Sequence, residues 1–186
     1  MAVAGSRSRR LLELAVAVPV ALAFADSSIV VLALPDLYAD LGTTIVGVSW
    51  IVTAFNVTVV AATPFVVVAL GRLDPRRLLA GGVVLFAAAS LAAGLVDGLA
   101  PLVAARCAQG AGAAALLAAA LPVLAGLTAS PRRAAGIWSS AALVGLAAGP
   151  AAGGALTGAL DWRAIFLVQV PTSLVGLLAV RRGVER

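Results

Sequence analysis

Six runs of mostly apolar residues, each long enough to cross a lipid bilayer, follow one another with little between them. They cover roughly residues 11–34, 47–70, 78–96, 101–127, 135–160 and 164–180. A hydrocarbon core of about 30 Å takes about 20 helical residues at about 1.5 Å each, so every run is a candidate transmembrane helix. Composition closes the soluble alternative. The chain is 62% apolar and 11% charged over 186 residues, where a soluble domain carries about 25% charged residues. Surface-to-volume scaling leaves a soluble domain of this size no way to hide so much apolar area. The predicted fold is all-α, an integral membrane bundle of six transmembrane helices over 11–180. A basic segment, 1–10, precedes it and a short tail, 181–186, follows.

The arginines orient the bundle. Arg7, Arg9 and Arg10 precede the first span, and Arg72, Arg76 and Arg77 separate the second from the third. Arg132 and Arg133 lie between the fourth and fifth, and Arg181, Arg182 and Arg186 follow the sixth. The other side has only Arg163, with Asp36, Asp40, Asp97 and Asp161. The positive-inside rule then places both termini in the cytoplasm and makes the chain a multi-pass protein of the cell membrane. The first span also imitates a signal peptide, with Arg7–Arg10, an apolar run and the small residues Ala23 and Ala25. Its apolar stretch continues past Asp26 to Leu34, however, and cleavage would leave five spans with a new terminus outside.

Several function classes drop out. The basic residues are all arginine and sit in short clusters between apolar runs rather than in a patch or stripe, so the partner is the bilayer and not a nucleic acid. A single cysteine, Cys107, and no histidine exclude an intrachain disulfide framework, zinc sites and Ser/His or Cys/His dyads. No catalytic residue, metal or cofactor is expected, and enzymatic chemistry is not the reading.

The polar residues inside the spans carry what remains. Asp26 lies well within the first span, where a charge costs about 2.5–3.5 kcal/mol on insertion scales. It reads equally as a proton or cation site and as a polar contact between helices. Arg106 sits about one and a half turns into the fourth span and forms an i, i+3, i+4 cluster with Gln109 and Gly110. Both charges fall in the outer half of the bilayer and are placed to meet, directly or through water; the alternative is an arginine that snorkels to the interface. In the second span Ser49, Thr53, Asn56 and Thr63 share one side, as a cavity lining or as interhelical hydrogen bonds. The fifth span repeats Gly145, Gly149 and Gly153, with Pro150, Gly154 and Gly158 in a second row. Such spacing lets helix backbones approach closely. Pro150 removes one helix hydrogen bond, so packing is the default and a hinge the sharper reading.

These segments together resemble the major facilitator superfamily, in particular its drug:proton antiporter branch, from about Asp26 to Val180. Asp26-Ser-Ser-Ile-Val-Val-Leu-Ala-Leu-Pro35 is similar to the antiporters' first-helix motif, and Trp50-Ile-Val-Thr-Ala-Phe55 to the opening of the second helix. Arg106-Cys-Ala-Gln-Gly-Ala-Gly112 resembles the fourth-helix motif, whose arginine is implicated in proton coupling. Gly145 to Gly154, centred on Gly149-Pro150, resembles the fifth-helix motif. Asp161-Trp-Arg-Ala-Ile-Phe166 with Val170-Pro171 resembles the start of the sixth. One motif departs. The loop between the second and third helices reads Gly71-Arg-Leu-Asp-Pro-Arg-Arg77, about three residues short of the family pattern, which the family uses to latch its two halves. Asp74 stands either for the motif's aspartate or for a plain helix N-cap ahead of Pro75, and a working latch through Gly71, Asp74, Arg76 and Arg77 is in question.

The resemblance implies the amino-terminal half of a major facilitator fold, whose transporters rock two six-helix halves around a midplane site. The tail 181–186 then reads as the start of an interdomain linker. The implied function is secondary active transport, proton-coupled efflux of small drug-like molecules. Asp26, Arg106 and Gln109 would couple protons, the second-span stripe would line the cavity, and Gly145, Gly149, Pro150, Gly153 and Gly154 would shape packing and gating. Implied partners are the bilayer, a small-molecule substrate, protons and a second six-helix half, from the same gene, a separate chain or a homodimer. The alternative is a non-transporting membrane scaffold or an inactive truncated remnant.

Overall fold

The computed structural model describes the backbone of residues 2–181 and the side chains of 8–180; Arg182 and Arg186 lie outside the described residues. It is an all-helical bundle, with six helices long and apolar enough to cross a membrane and no strand among the described residues.

Four spans are single helices: the second Ile45–Leu70, the third Pro75–Leu95, the fourth Leu99–Thr128 and the fifth Pro131–Ala159. Polar side chains just ahead of three of them accept otherwise unpaired backbone N–H groups. Thr44 Oγ1 takes Gly47 N at 3.0 Å, Asp74 Oδ1 takes Arg76 N at 2.8 Å, and Ser130 Oγ takes Arg133 N at 3.3 Å. Pro75 and Pro131 follow two of these caps, at the position where a missing N–H costs nothing.

The first and sixth spans are interrupted. The first runs as a helix over Ala2–Ile29, tightens into a 3-10 turn at Val30–Ala33 and resumes over Leu34–Leu41. Pro35 is the physical reason: it cannot donate to the preceding turn but suits the first turn of a new helix. The span therefore outlasts its apolar run and ends at Gly42, whose φ of 54° is left-handed. The sixth span runs over Arg163–Leu174, breaks, and resumes over Leu177–Arg181. At the break Gly176 N donates to Ser173 O at 3.0 Å. A Cβ on Gly176 would lie 2.7 Å from Pro19 Cγ and 3.1 Å from Val83 Cγ2, so this joint is packed against the first and third spans.

The interior is layered along the length of the helices. One apolar core, nearer the arginine-rich end, gathers Val16 and Val20 of the first span, Val83 and Phe86 of the third, and Leu116 and Leu124 of the fourth. A second, at the opposite end, gathers Val30 and Leu37, Ile51, Leu102, Ile165 and Phe166. Between them in the chain order of every contributing span fall the buried polar residues Asp26, Ser90, Arg106, Gln109 and Gln169. Close backbone contact holds the third and fourth spans together around this layer. A Cβ at Gly82 would sit 2.9 Å from Gly112 O, and one at Gly112 would sit 2.6 Å from Phe86 N. The second and fifth spans are the least buried, and expose Ile45, Val60, Phe65, Leu143 and Leu160, an apolar surface suited to lipid or to another bundle.

Candidate functional site

The polar layer is built by five spans. Asp26 comes from the last turns of the long helix of the first span, just before the 3-10 turn. Arg106 and Gln109, one turn apart on the fourth span, share a face and meet it from the side. Arg106 Nη1 donates to Asp26 Oδ2 at 2.6 Å and to Gln109 Oε1 at 2.6 Å, and Arg106 Nε donates to the Ile51 carbonyl of the second span at 2.9 Å. Both charged side chains are 0% exposed. The guanidinium also lies 4.3 Å above the ring centroid of Phe55 and 5.6 Å from that of Phe166. Arg106 thus points into the bundle rather than snorkelling to the interface.

Two residues that the sequence reading passed over complete the layer. Gln169 Nε2 of the sixth span donates to Asp26 Oδ1 at 2.7 Å, and Gln109 Nε2 donates to Gln169 Oε1 at 2.7 Å. Gln109 Nε2 also reaches Ser90 Oγ of the third span at 2.8 Å and Asp26 Oδ1 at 3.3 Å. Ser90 Oγ in turn donates to the Phe86 carbonyl at 2.7 Å. Gln169 carried the signal that drew attention to Asp26, a strongly polar group midway along an apolar run. Ser90 gave none, because a serine is small enough to satisfy itself against its own helix anywhere in a membrane span.

Electrostatically the layer is a neutral pair inside a shell of amides. Removing two charges from water is costly, and their attraction offsets that cost only when the remaining lone pairs and protons are also satisfied. Here both carboxylate oxygens face donors. The gap is at the arginine, where Nη2 has no hydrogen-bond partner among the described residues. The arrangement can therefore hold a charge in lipid, and a proton added to Asp26 Oδ2 would take away an acceptor that Arg106 uses.

The other sequence candidates lie elsewhere. The stripe of the second span stands on the outer surface: Ser49, Thr53 and Asn56 are exposed and Thr63 half-buried. Ser49 Oγ, Asn56 Nδ2 and Thr63 Oγ1 donate to carbonyls one turn back in their own helix, at 2.8, 3.0 and 2.7 Å. Among the described residues none bonds to another span. The fifth-span glycines divide. A Cβ at Gly145, Gly149 or Gly153 would collide with the carbonyl oxygens of Ala21, Ala25 and Ile29 on the first span, whereas Gly154 meets only Leu32 at 3.3 Å and Gly158 nothing within 4 Å. The helix runs unbroken through Pro150. In the short loop Asp74 caps the third span, Gly71 is not left-handed at φ −72°, and Arg76 and Arg77 make no ion pair among the described residues. Two further ion clusters tie the ends of the bundle. Arg163 binds Asp97 at 2.7 Å and Asp40 at 3.3 Å while stacking 4.2 Å over Trp162. At the arginine-rich end Arg133 binds the buried Glu13 at 2.9 Å.

A family model described as Major Facilitator Superfamily matches residues 16–186. The chain belongs to the major facilitator superfamily. Among curated members it is 37% identical over 164 residues to the cephamycin export protein CmcT of Amycolatopsis lactamdurans, covering 84% of this chain and 33% of that protein. It is 33% identical over 180 residues to the drug efflux pump JefA of Mycobacterium tuberculosis, covering 95% of this chain and 35% of the pump. The tetracenomycin C resistance and export protein of Streptomyces glaucescens is 36% identical over 170 residues, 89% of this chain and 31% of that protein. The chain thus spans about a third of the length of these relatives. In fold it resembles a bacterial homolog of the human lysosomal transporter Spinster, solved inward-facing and unoccupied. The TM-score is 0.76 at 18% identity, over 92% of this chain and 42% of that one. This major facilitator chain is therefore a multi-pass membrane protein with six helices of the superfamily fold.

Proposed function

We propose that the chain is the amino-terminal half of a secondary transporter of the cell membrane, one that exports small drug-like molecules in exchange for protons. Asp26 and Arg106 form its coupling centre and Gln109 supports them. Both termini lie in the cytoplasm, a reading the arginine distribution supports, and a second six-helix half completes the substrate path. The single observation that carries this reading is the buried Asp26–Arg106 pair. An apolar contact would hold the same helices at lower cost than a buried charge pair, and charged groups at this depth mark ion pathways by default. The relatives' names supply the direction of transport and the class of cargo. Ser49, Thr53, Asn56 and Thr63 line the cavity toward the second half, while Gly145, Gly149, Pro150, Gly153 and Gly154 set the spacing about which gating turns. The shortened loop at Gly71, Asp74, Arg76 and Arg77 acts as a helix cap more than as a latch.

The test is Asp26→Asn in the whole natural protein that carries this chain, reconstituted in proteoliposomes with ethidium as the probe. The expected result is loss of flux driven by a pH gradient, with ethidium exchange at equal pH retained. Gradient-driven flux equal to that of the natural protein would remove Asp26 from coupling.

A further inference from the structure

The two glutamines of the polar layer are arranged so that their orientation depends on the state of Asp26. Arg106 has only donors, so Gln109 must present its carbonyl oxygen there. An ionised Asp26 has only acceptors, so Gln169 must present its NH2 group. The contact between the amides, Gln109 Nε2 to Gln169 Oε1 at 2.7 Å, is then a donor meeting an acceptor. Each orientation is fixed by its neighbour, and the chain runs Asp26, Gln169, Gln109, Arg106.

Protonation reverses this chain. The proton adds to one carboxylate oxygen and no other covalent bond changes. On Oδ1 it faces Gln169 Nε2 at 2.7 Å, a donor against a donor, and Gln169 must turn its oxygen toward Asp26. Its NH2 then faces the NH2 of Gln109, which must turn as well and bring its own NH2 against Arg106 Nη1, where an acceptor stood at 2.6 Å. On Oδ2 the proton faces Arg106 directly, at the position of the 2.6 Å ion pair. On Oδ1 Arg106 loses Gln109 and keeps Asp26 Oδ2, on Oδ2 it loses Asp26 and keeps Gln109, and in both cases it retains the Ile51 carbonyl and the rings of Phe55 and Phe166. No other charged group stands against Asp26 among the described residues. The second span offers a carbonyl and a ring, the third Ser90, the sixth Gln169, and the fifth packs on the first through glycines.

The geometry points to Gln169 as a positioning residue that transmits the protonation of Asp26 to Arg106 and to the sixth span, through a concerted turn of the Gln169 and Gln109 amides. This rests on the coupling reading above. It places the sixth span in the switch, and that span is the one whose helix is interrupted just beyond Gln169, after Pro171.

The experiment compares the whole natural protein with Gln169→Met, a side chain of similar length without an amide, and with Gln169→Asn, which keeps the amide one methylene short. Ethidium flux in proteoliposomes is read twice, driven by a pH gradient and as counterflow at equal pH on both sides. Q169M is expected to lose roughly ten-fold in the stimulation by the gradient, within the usual range of site-to-site coupling, while counterflow stays within roughly two-fold. Q169N is expected to recover part of the stimulation. Unchanged stimulation in Q169M, in a protein whose unmodified form is gradient-driven, would overturn the relay and leave the coupling reading standing. A parallel fall of both fluxes would make Gln169 merely structural and also overturn it. An unmodified protein with no gradient-driven flux would remove the coupling reading, and the relay with it.

Discussion

The first span meets its neighbours in two opposite ways. On one side Ala21, Ala25 and Ile29 lie against Gly145, Gly149 and Gly153 of the fifth span, backbone on backbone, with the Ser28 hydroxyl beside Gly149. On the other, Asp26 is held by Arg106, Gln109 and Gln169 from the fourth and sixth spans. Both solve the same problem, since lipid tails give helices no hydrophobic reason to associate. A glycine seam has one geometry and no alternative state. The polar layer has protons and rotatable amides, so it can be satisfied in more than one way. The difference puts the rigid contact and the proton-binding one on different faces of one helix; if Asp26 couples protons as proposed, a change of charge there would act on the fourth and sixth spans and not on the glycine seam.

The sharpest way to break this contrast is to leave one charge without its partner. Arg106→Met would strand Asp26 among amides in a layer closed on both sides by apolar cores. Removing one member of a buried pair costs about 3–5 kcal/mol, so the melting temperature of the detergent-solubilised protein should fall sharply. The double variant Asp26→Asn with R106M should regain most of it, because both charges are then gone. An R106M protein as stable as the natural one would mean that the layer contributes nothing to holding the bundle together.

The glycine side should respond to volume and not to charge. Gly149→Val would push a branched side chain into the Ala25 carbonyl and the Ser28 hydroxyl, and overpacking of this kind costs about 1–3 kcal/mol. Gly158→Ala, where nothing lies within 4 Å, should change stability by less than about 0.5 kcal/mol. If the two substitutions behaved alike, the seam would not be what fixes the first span to the fifth.

Much of this architecture was legible in the chain because lipid imposes simple rules. The length of an apolar run and the small-residue spacing each report a physical constraint that acts locally. The reading stopped where tertiary context decides. The first span reaches Leu41 because a 3-10 turn accommodates Pro35, which no hydropathy pattern shows. The Asp26–Arg106 pair followed from depth, but Gln169 is 143 residues from Asp26, and only the packing of the sixth span against the first and third brings its amide there. Gly110, read as part of the Arg106 face, does meet the second span beside it, where a Cβ would lie 2.6 Å from Phe55 O, but only the fold shows that this face is packed so closely. The stripe from Ser49 to Asn56 has helical spacing that is compatible with an inward or an outward face, and only the fold of the whole bundle turns it outward.

That outward stripe gives the smallest and most discriminating prediction. The hydroxyl of Ser49 and the amide of Asn56 are exposed and bonded to carbonyls of their own helix, so neither holds one span to another. Replacing both with alanine should alter stability by less than about 0.5 kcal/mol, as is usual for surface positions without a named role. Purely structural polar residues would reveal themselves by a larger loss in the same melting measurement. Should stability hold while the concentration dependence of ethidium flux shifts, the stripe belongs to the substrate path. The molecule would then carry two kinds of intramembrane polarity, one buried to respond to protons and one left open to meet cargo. Should both stability and flux hold, the stripe faces neither a neighbour nor the path, and the polar chemistry of this half is confined to the buried layer.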